Sequence, residues 1–186
     1  MVMPLTRHRF TVDEYQRMGA AGVFREDDRV ELIDGQVVQM TPIGPEHGGC
    51  VKDLARLFYL AAGDQVILGI QDPLVLGPYA APQPDIAVLR PRREGYRTAH
   101  PGPADVLLVI EVADTSVRYD RQTKIPLYAA AGIPEAWLVD LPARRIRVYR
   151  EPGPDGYNSV RTFGPGDTLT PLHLPTVTLR VNDILG

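Results

Sequence analysis

Hydrophobic and polar positions follow a helical period after Thr11, close to the start of the chain. Thr11 and Glu14 have the spacing of a capping box, in which each side chain hydrogen-bonds to the backbone of the other residue. A helix is therefore expected to begin here. It should end near Ala21, because Gly22 tolerates the left-handed conformation that commonly follows a helix.

A second helical pattern lies between Gly44 and Gly63. Pro45 suits the first turn of a helix, where a backbone N–H is not needed. His47 would lie in the same turn, where outward-pointing N–H groups favour an anion such as phosphate. Capping or packing is the alternative role for a single histidine at this position. The expected apolar stripe of this helix is Leu54, Leu57, Phe58 and Ala61.

Runs of strand-forming residues on both sides of Asp34-Gly35 predict a β-hairpin. The two central residues of a type I′ turn need positive φ, which Asp and Gly tolerate. In this register Glu31 lies opposite Val38 and shares a face with Ile33, so its carboxylate has apolar neighbours. Either this carboxylate has a functional role, or it forms an ion pair with Arg29 or another arginine.

Two continuous apolar runs each have a carboxylate at one end. Asp85 precedes the run 86–89, and Glu111 follows the run 106–110. Such runs are typical of strands that are covered on both faces, so both carboxylates are expected near a dry interior. An unpaired charge there costs several kcal/mol, by order of magnitude, which implies a positive partner. Alternation places one set of residues on the same face of the second strand: Leu107, Val109, Glu111 and Ala113.

A lysine follows these carboxylates on a predicted helix. The helix should run from Arg121 to Ala131, with Asp120 as its N-cap and Gly132 after its end. Lys124 would then lie near the first turn, close to the end of the preceding strand. Two carboxylates with a nearby lysine suggest a divalent cation as the missing partner. Further strands are expected at 66–71, 74–76, 136–140 and 145–150.

Composition limits the class of protein. A chain of 186 residues, 44% of them hydrophobic, is long enough for one domain with its own core. Cys50 is the single cysteine, which excludes an internal disulfide and a cysteine-based zinc cluster within one chain. No apolar run approaches the length that spans a bilayer. We therefore expect a cytoplasmic protein with no membrane partner.

The net charge of −3 gives no overall basic field, so any contact with nucleic acid has to be local. The best local candidate is the loop after residue 89, which contains Arg90, Arg92 and Arg93. These guanidinium groups are candidates for binding phosphates. The alternative is that the loop is charged only because it is solvated.

Several segments, in the same order, resemble the Uma2 family. This family was long classed as a domain of unknown function and is assigned to the PD-(D/E)XK restriction-endonuclease-like fold. The likeness covers about residues 8–150, and residues 151–186 are treated as a C-terminal extension of the same single domain. The resembling segments are 29–35 (RVELIDG), 45–47 (PEH), 82–87 (PQPDIA), 108–116 (LVIEVADTS) and 119–140 (YDRQTKIPLYAAAGIPEAWLVD).

The resemblance implies an α/β fold in which helices flank a mixed central β-sheet, with an N-terminal helix and β-hairpin. It also implies a metal-dependent phosphodiesterase site. Matched position by position, Asp85 and Glu111 correspond to the metal-binding carboxylates, Glu31 to an upstream acid and Lys124 to the site lysine. Mg²⁺ or Mn²⁺ would be held by Asp85, Glu111 and the backbone carbonyl of Val112.

The expected function is hydrolysis of nucleic-acid phosphodiester bonds, with DNA as the expected substrate and His47 contacting phosphate. One position departs from the usual pattern of the fold. Ala113 stands two residues after Glu111, where a lysine is usual, and Lys124 on the next helix takes its place. A homodimer is expected, because dimers are common among proteins of this fold.

Three alternatives remain open at the level of sequence. The same fold can persist as a catalytically inactive DNA-binding or assembly module. A metal-dependent phosphoesterase could act on a substrate other than nucleic acid. Each polar residue could instead pair with an arginine inside an ordinary α/β core.

Overall fold

The computed structural model describes residues 7–25 and 27–186 of the chain. The strands are β1 (Val30–Ile33), β2 (Gln36–Gln39), β3 (Ile67–Gly69), β4 (Ile86–Leu89), β5 (Val106–Ala113), β6 (Glu135–Asp140), β7 (Arg145–Gly153), β8 (Gly156–Phe163), β9 (Thr168–Leu169) and β10 (Leu179–Arg180). The helices are α1 (Val12–Ala20), α2 (Pro45–Ala62), α3 (Val117–Tyr119), α4 (Ile125–Ala130) and α5 (Val181–Leu185). A π-helical turn, Asp120–Lys124, joins α3 to α4 without a break.

Six strands form the central sheet, in the order β3-β4-β5-β6-β7-β8. β5 and β6 are parallel, and the other neighbouring pairs are antiparallel, so the sheet is mixed. The expected α/β class, with flanking helices, an N-terminal helix and a hairpin, is confirmed. No helix within residues 7–25 and 27–186 is long and apolar enough to cross a membrane.

The start of α1 agrees with the capping box predicted from sequence. The Thr11 hydroxyl accepts a hydrogen bond from the Glu14 N–H at 3.2 Å, and the Glu14 carboxylate accepts one from the Thr11 N–H at 2.8 Å. Two of the backbone donors at the helix start are therefore satisfied.

The hairpin also has the predicted register. Asp34 and Gly35 have φ values of 49° and 75°, as a type I′ turn requires. Glu31 pairs with Val38 across the two strands, and Glu31, Leu32 and Ile33 are all buried. The hairpin thus holds one carboxylate inside the molecule.

Apolar side chains cover both faces of the central sheet. α2, α5 and the segment after β8 pack on one face, where Phe58 lies beside Trp137 with ring centroids 6.1 Å apart. α4 packs on the other face through Ile125 and Tyr128. Fully burying one large apolar side chain stabilises the fold by about 1.5–3 kcal/mol, so both layers contribute to holding the sheet.

Residues after β8 complete the core. Leu169, Val177, Leu179 and Ile184 are buried in the layer that α2 forms on the sheet. Glu135, which is fully buried in β6, connects this segment to the sheet. Its carboxylate accepts hydrogen bonds from Arg150 at 2.7 and 2.9 Å, from the Trp137 indole at 2.9 Å and from the Leu172 N–H at 2.6 Å.

Three local expectations were wrong. Leu107 packs on the α2 face and not with Val109, because β5 has a bulge opposite Leu89 that reverses the alternation there. Residues 74–76 form no strand, although Leu74 and Leu76 make backbone hydrogen bonds to residues 82 and 80. Ala61 is exposed, and the buried face of α2 instead consists of Cys50, Val51, Leu54, Ala55, Phe58 and Ala62.

The helix that carries Lys124 begins earlier than expected. It starts at Val117, so Asp120 lies within the helix and does not cap it. In the π-helical turn the Ile125 N–H donates to the carbonyl of Asp120, five residues back. Pro126 follows directly and has no N–H to donate to the carbonyl four residues before it, so the regular helical pattern is interrupted there.

Candidate active site

The pairing of β4 with β5 brings two acidic residues together: Asp85, just before β4, and Glu111, two residues before the end of β5. Ile86 pairs with Ile110, so Asp85 and Glu111 are the next residues along the two strands. Asp85 Oδ2 accepts a hydrogen bond from the Val112 N–H at 2.9 Å. Because the N–H and C=O of one strand residue point to the same side, the Val112 carbonyl is directed toward this end of β4 as well.

Two side chains from other parts of the chain contact the Asp85 carboxylate. His47 Nε2, at the start of α2, lies 3.1 Å from Oδ2, and Gln71 Nε2 donates to Oδ1 at 3.0 Å. Burial favours a higher pKa for Asp85, but hydrogen bonds from His47, Val112 and Gln71 outweigh burial and lower it. The hydrogen bond to Asp85 raises the pKa of His47, against the opposing effect of burial.

Lys124 joins the hairpin to the central sheet. Its Nζ lies 3.0 Å from Glu111 Oε1 and 3.2 Å from Glu31 Oε2. It also donates to the carbonyl of Gln83 at 3.4 Å, while the Gln83 N–H donates to Glu31 Oε2 at 3.1 Å. Burial disfavours the ammonium, but Glu111 and Glu31 together raise the pKa of Lys124, so it stays charged.

Glu111 has a second partner that the sequence did not reveal as part of the site. The Tyr128 hydroxyl, fully buried on α4, donates to Oε1, the same oxygen that Lys124 contacts. Burial raises the pKa of Glu111 to about 8, although Lys124 and Tyr128 both act to lower it. Among the described residues Oε2 accepts no hydrogen bond, so this oxygen is available to a ligand.

Asp120 was expected to cap a helix, but its carboxylate belongs to the site. It is buried and accepts a hydrogen bond from the Ser116 hydroxyl at 2.6 Å. Burial raises the pKa of Asp120. A signal for Asp120 and Tyr128 was present in the sequence, because both lie four residues from Lys124 and therefore share its helix face.

Most of these side chains line one cavity of about 320 Å³; Gln71, Gln83 and Tyr128 support it from outside the lining. Two of its polar atoms, His47 Nδ1 and the Tyr119 hydroxyl, are buried and have no hydrogen-bond partner within the described ranges. Buried polar atoms in native proteins are nearly always paired, so these two mark places for polar groups of a ligand or solvent. The acidic lining residues are Glu31, Asp85, Glu111, Asp114 and Asp120, and the basic ones are Arg29, His47 and Lys124.

The arginine loop is not part of this cavity. Arg90, Arg92 and Arg93 follow the last residue of β4, whereas Asp85 precedes its first, so roughly 13 Å of strand separates them. Arg92 pairs with Asp105 at 2.6 Å, and Arg90 donates to the carbonyl of Ala104 at 3.1 Å. A role for this loop in binding nucleic acid remains a prediction, and it would act at a distance from the cavity.

The side chains around the cavity suit a metal ion only if a backbone carbonyl is one of its ligands. In the part of the chain that the structure describes, no group of three or more His, Cys, Asp or Glu side chains is arranged to hold a metal ion. The ligand set expected from sequence has only two such side chains, Asp85 and Glu111, and takes its third ligand from the Val112 carbonyl. The free oxygen of Glu111 and the excess of acidic over basic lining residues fit a divalent cation of this kind.

The choice of lysine at position 124 is notable in this chain. Of 20 lysine and arginine residues, only Lys52 and Lys124 are lysines. Lys52 is exposed on α2, whereas Lys124 is buried between two carboxylates. A compact ammonium fits this space and can point its three donors at separate oxygens, which a planar guanidinium does not do.

This chain is similar to a protein family and to a solved structure. A family model named Uma2, described as "Putative restriction endonuclease", matches residues 12–182. The crystal structure of "a putative nuclease belonging to DUF820" from Anabaena variabilis ATCC 29413 superposes with a TM-score of 0.75 at 18% identity. The superposition covers 95% of this chain and 97% of that one. A search of curated proteins gave no match.

Proposed function

The chain belongs to the Uma2 family, and from this premise we propose that it is a nuclease that hydrolyses phosphodiester bonds in nucleic acid, with Mg²⁺ or Mn²⁺ as its cofactor. One observation supports the proposal most strongly. Asp85, just before β4, and Glu111, near the end of β5, lie opposite each other on two buried strands, and both line the cavity that Lys124 also lines. Ordinary core packing does not require this concentration of acidic groups, because each buried carboxylate carries a desolvation cost that its partners have to offset.

Asp85, Glu111 and the Val112 carbonyl would hold the cation through oxygen ligands. The cation would supply positive charge to offset the negative charge that develops on the phosphate oxygens during hydrolysis. The hydrogen bonds to Asp85 and Glu111 keep both carboxylates in place before any ligand arrives. Such preorganisation is a large part of how enzymes stabilise charged transition states.

Lys124 and Glu31 form the other side of the site. The Lys124 ammonium would orient a water or stabilise the charge on the phosphate, and the donor that makes the long 3.4 Å contact with the Gln83 carbonyl is the one it could redirect. Glu31 fixes the position of this ammonium at 3.2 Å, and its carboxylate would bind water near the cation. The Gln83 backbone contacts both residues, so the segment before β4 sets their spacing.

The start of α2 is suited to binding the phosphate itself. Gly44 precedes the helix and has no side chain to cap it, so the first backbone N–H groups are available to an anion. His47 binds Asp85 through Nε2 and has Nδ1 free among the described residues. This nitrogen would hydrogen-bond to a phosphate oxygen that lies beside the carboxylates.

The test is cleavage of supercoiled DNA, single-stranded DNA and RNA, each with Mn²⁺ and with EDTA. We expect cleavage only with the metal, and a loss of at least about a hundredfold in Asp85→Asn and Glu111→Gln. Asp64→Asn is the matched control, because Asp64 is exposed and outside the cavity. Unchanged cleavage by Asp85→Asn would mean that the activity comes from a contaminant or another site.

A non-cleaving module of the same fold is the second candidate. It is favoured by the fact that Asp85 and Glu111 already have basic partners, His47 and Lys124, without any metal. This candidate predicts no hydrolysis and no rise in melting temperature with Mn²⁺, because only a ligand of the folded state stabilises it. Hydrolysis of bis(p-nitrophenyl) phosphate without cleavage of nucleic acid would instead indicate a phosphoesterase for another substrate.

A further inference from the structure

We infer that the cavity takes an unpaired nucleic-acid strand and excludes a continuous duplex. This inference rests on the proposed nuclease function and adds the class of substrate. Asp85, Glu111 and Lys124 are only 6%, 3% and 3% exposed, so a phosphate must enter the cavity to reach them. At about 320 Å³ the cavity lies at the small end of ligand pockets, which span roughly 300–1,000 Å³.

The segment after β2 makes much of the cavity wall. Residues 40–44 line it, and two hydrogen bonds tie this segment to Arg29: the Met40 N–H donates to the Arg29 carbonyl at 2.8 Å, and the Arg29 guanidinium donates to the Thr41 carbonyl at 3.4 Å. In a duplex each phosphate stays attached to a stacked and paired neighbour. For its phosphate to reach the buried carboxylates, a duplex would have to bring that neighbour into a cavity of about 320 Å³, whereas an unpaired strand can bend at a single phosphate and enter alone.

The cavity also offers surfaces that suit an unpaired base. Tyr119 is half-buried and lines the cavity, and its buried hydroxyl has no partner among the described residues. Ile43 lines the cavity too and leaves 44% of its surface exposed. An unpaired base has a free π face and free hydrogen-bonding edges that these side chains can contact, whereas in a duplex stacking and pairing occupy both.

The charges around the cavity agree with a short unpaired segment. Binding of duplex DNA depends mainly on several lysine and arginine contacts to neighbouring phosphates. Of the three basic residues that line this cavity, Lys124 is neutralised by Glu31 and Glu111, and His47 is bound to Asp85. Arg29 alone has no carboxylate partner among the described residues, so the cavity offers one uncompensated guanidinium and not a row of them. Contacts to a base would therefore have to supply a large share of the affinity.

The experiment compares labelled 30-nucleotide substrates with Mn²⁺: single-stranded DNA, single-stranded RNA, a blunt duplex, and a duplex with a single-stranded overhang. We expect the unpaired strands to be cut at least tenfold faster than the blunt duplex, with cuts in the overhang and not in the paired part. The DNA and RNA arms identify which unpaired strand is preferred. Equal cutting inside the blunt duplex would overturn the inference and leave the nuclease function standing.

If no substrate is cut, a binding measurement separates the nuclease proposal from the proposed preference for an unpaired strand. Anisotropy of the same oligonucleotides in EDTA should show tighter binding of an unpaired strand, and Tyr119→Leu should weaken this binding about fivefold or more. Tyr59→Leu is the control, since Tyr59 is exposed on α2 outside the cavity. Selective binding without cleavage refutes the nuclease and supports the inference. Absence of cleavage together with absence of any strand preference refutes both.

Discussion

Replacement of Lys124 by methionine removes the ammonium that joins the hairpin to the central sheet. Its Nζ lies 3.0 Å from Glu111 and 3.2 Å from Glu31, and all three side chains are almost fully buried. Removal of one partner from a buried ion pair costs about 3–5 kcal/mol, because the remaining charge has no compensation. Since burial already raises the pKa of Glu111, this carboxyl can take up a proton once the ammonium is gone, and the cost should lie near the lower value.

Urea unfolding at pH 7 measures this cost directly. We expect Lys124→Met to lower the free energy of unfolding by about 3 kcal/mol. For a chain of this length that is equivalent to a fall of roughly 6–12 °C in melting temperature. The control is Lys52→Met, which changes the only other lysine, an exposed one, and should stay within about 0.5 kcal/mol of the wild type.

A double-mutant cycle tests whether the effect comes from the ion pair. Adding Glu111→Gln to Lys124→Met removes the carboxylate that the first substitution leaves unpaired. The double variant should therefore be more stable than the sum of the two single effects predicts, by at least about 1 kcal/mol. If Lys124→Met is as stable as Lys52→Met, or if the two substitutions are simply additive, the reasoning about this buried charge cluster is wrong.

Three further predictions concern stability and reactivity away from the site. Thr11→Ala should destabilise the fold by about 1 kcal/mol through loss of the capping box, and an unchanged urea midpoint would contradict this. Cys50 is buried and its pKa is raised to about 12, so the native thiol should react with Ellman's reagent at pH 8 roughly a thousandfold more slowly than in urea-unfolded protein. Equal rates in the two states would show that the thiol is accessible. Glu135→Ala should cost about 3 kcal/mol, because it leaves the Arg150 guanidinium without its carboxylate, whereas Glu94→Ala, at an exposed position, should cost less than about 0.5 kcal/mol. Similar urea midpoints for these two variants would refute a structural role for Glu135.

Elements that depend on neighbouring residues in the sequence could be predicted well. The capping box at Thr11 and the turn at Asp34-Gly35 each result from the conformational preferences of two to four adjacent residues. The hairpin register then followed from the turn, and with it the buried position of Glu31. The buried strands that carry Asp85 and Glu111 were recognisable as continuous apolar runs.

Features that depend on contacts between distant segments could not be predicted in the same way. The bulge that moves Leu107 to the other face arises from pairing with β4, and alternation along β5 gives no sign of it. Asp120 resembles an N-cap when only its neighbours are considered, but the helix begins at Val117 and turns this carboxylate into the cavity. The contact of Tyr128 with Glu111 likewise depends on how α4 lies on the sheet.

Several site residues could be named from the sequence, but the place of the arginine loop relative to them could not. Sequence indicated that Asp85, Glu111, Glu31 and Lys124 would converge, and the structure brings all four to one cavity. The charge of Arg90, Arg92 and Arg93 suggested a surface for nucleic acid, but charge alone does not tell on which end of β4 a loop lies relative to a cavity. The position of the chain after Leu89 decides that, and it directs these arginines away from Asp85.

A crystal grown with MnCl₂ gives the most direct measurement of the proposed site, because the anomalous signal locates manganese without reference to activity. We predict an anomalous peak bounded by the carboxylates of Asp85 and Glu111 and by the carbonyl of Val112, at oxygen distances close to 2.1–2.2 Å, as expected for a hard divalent cation of about this size. The peak should be absent from crystals of Asp85→Asn. A crystal with saturating Mn²⁺ that has no peak beside these oxygens would contradict the proposal that this cluster is a metal-dependent hydrolytic site.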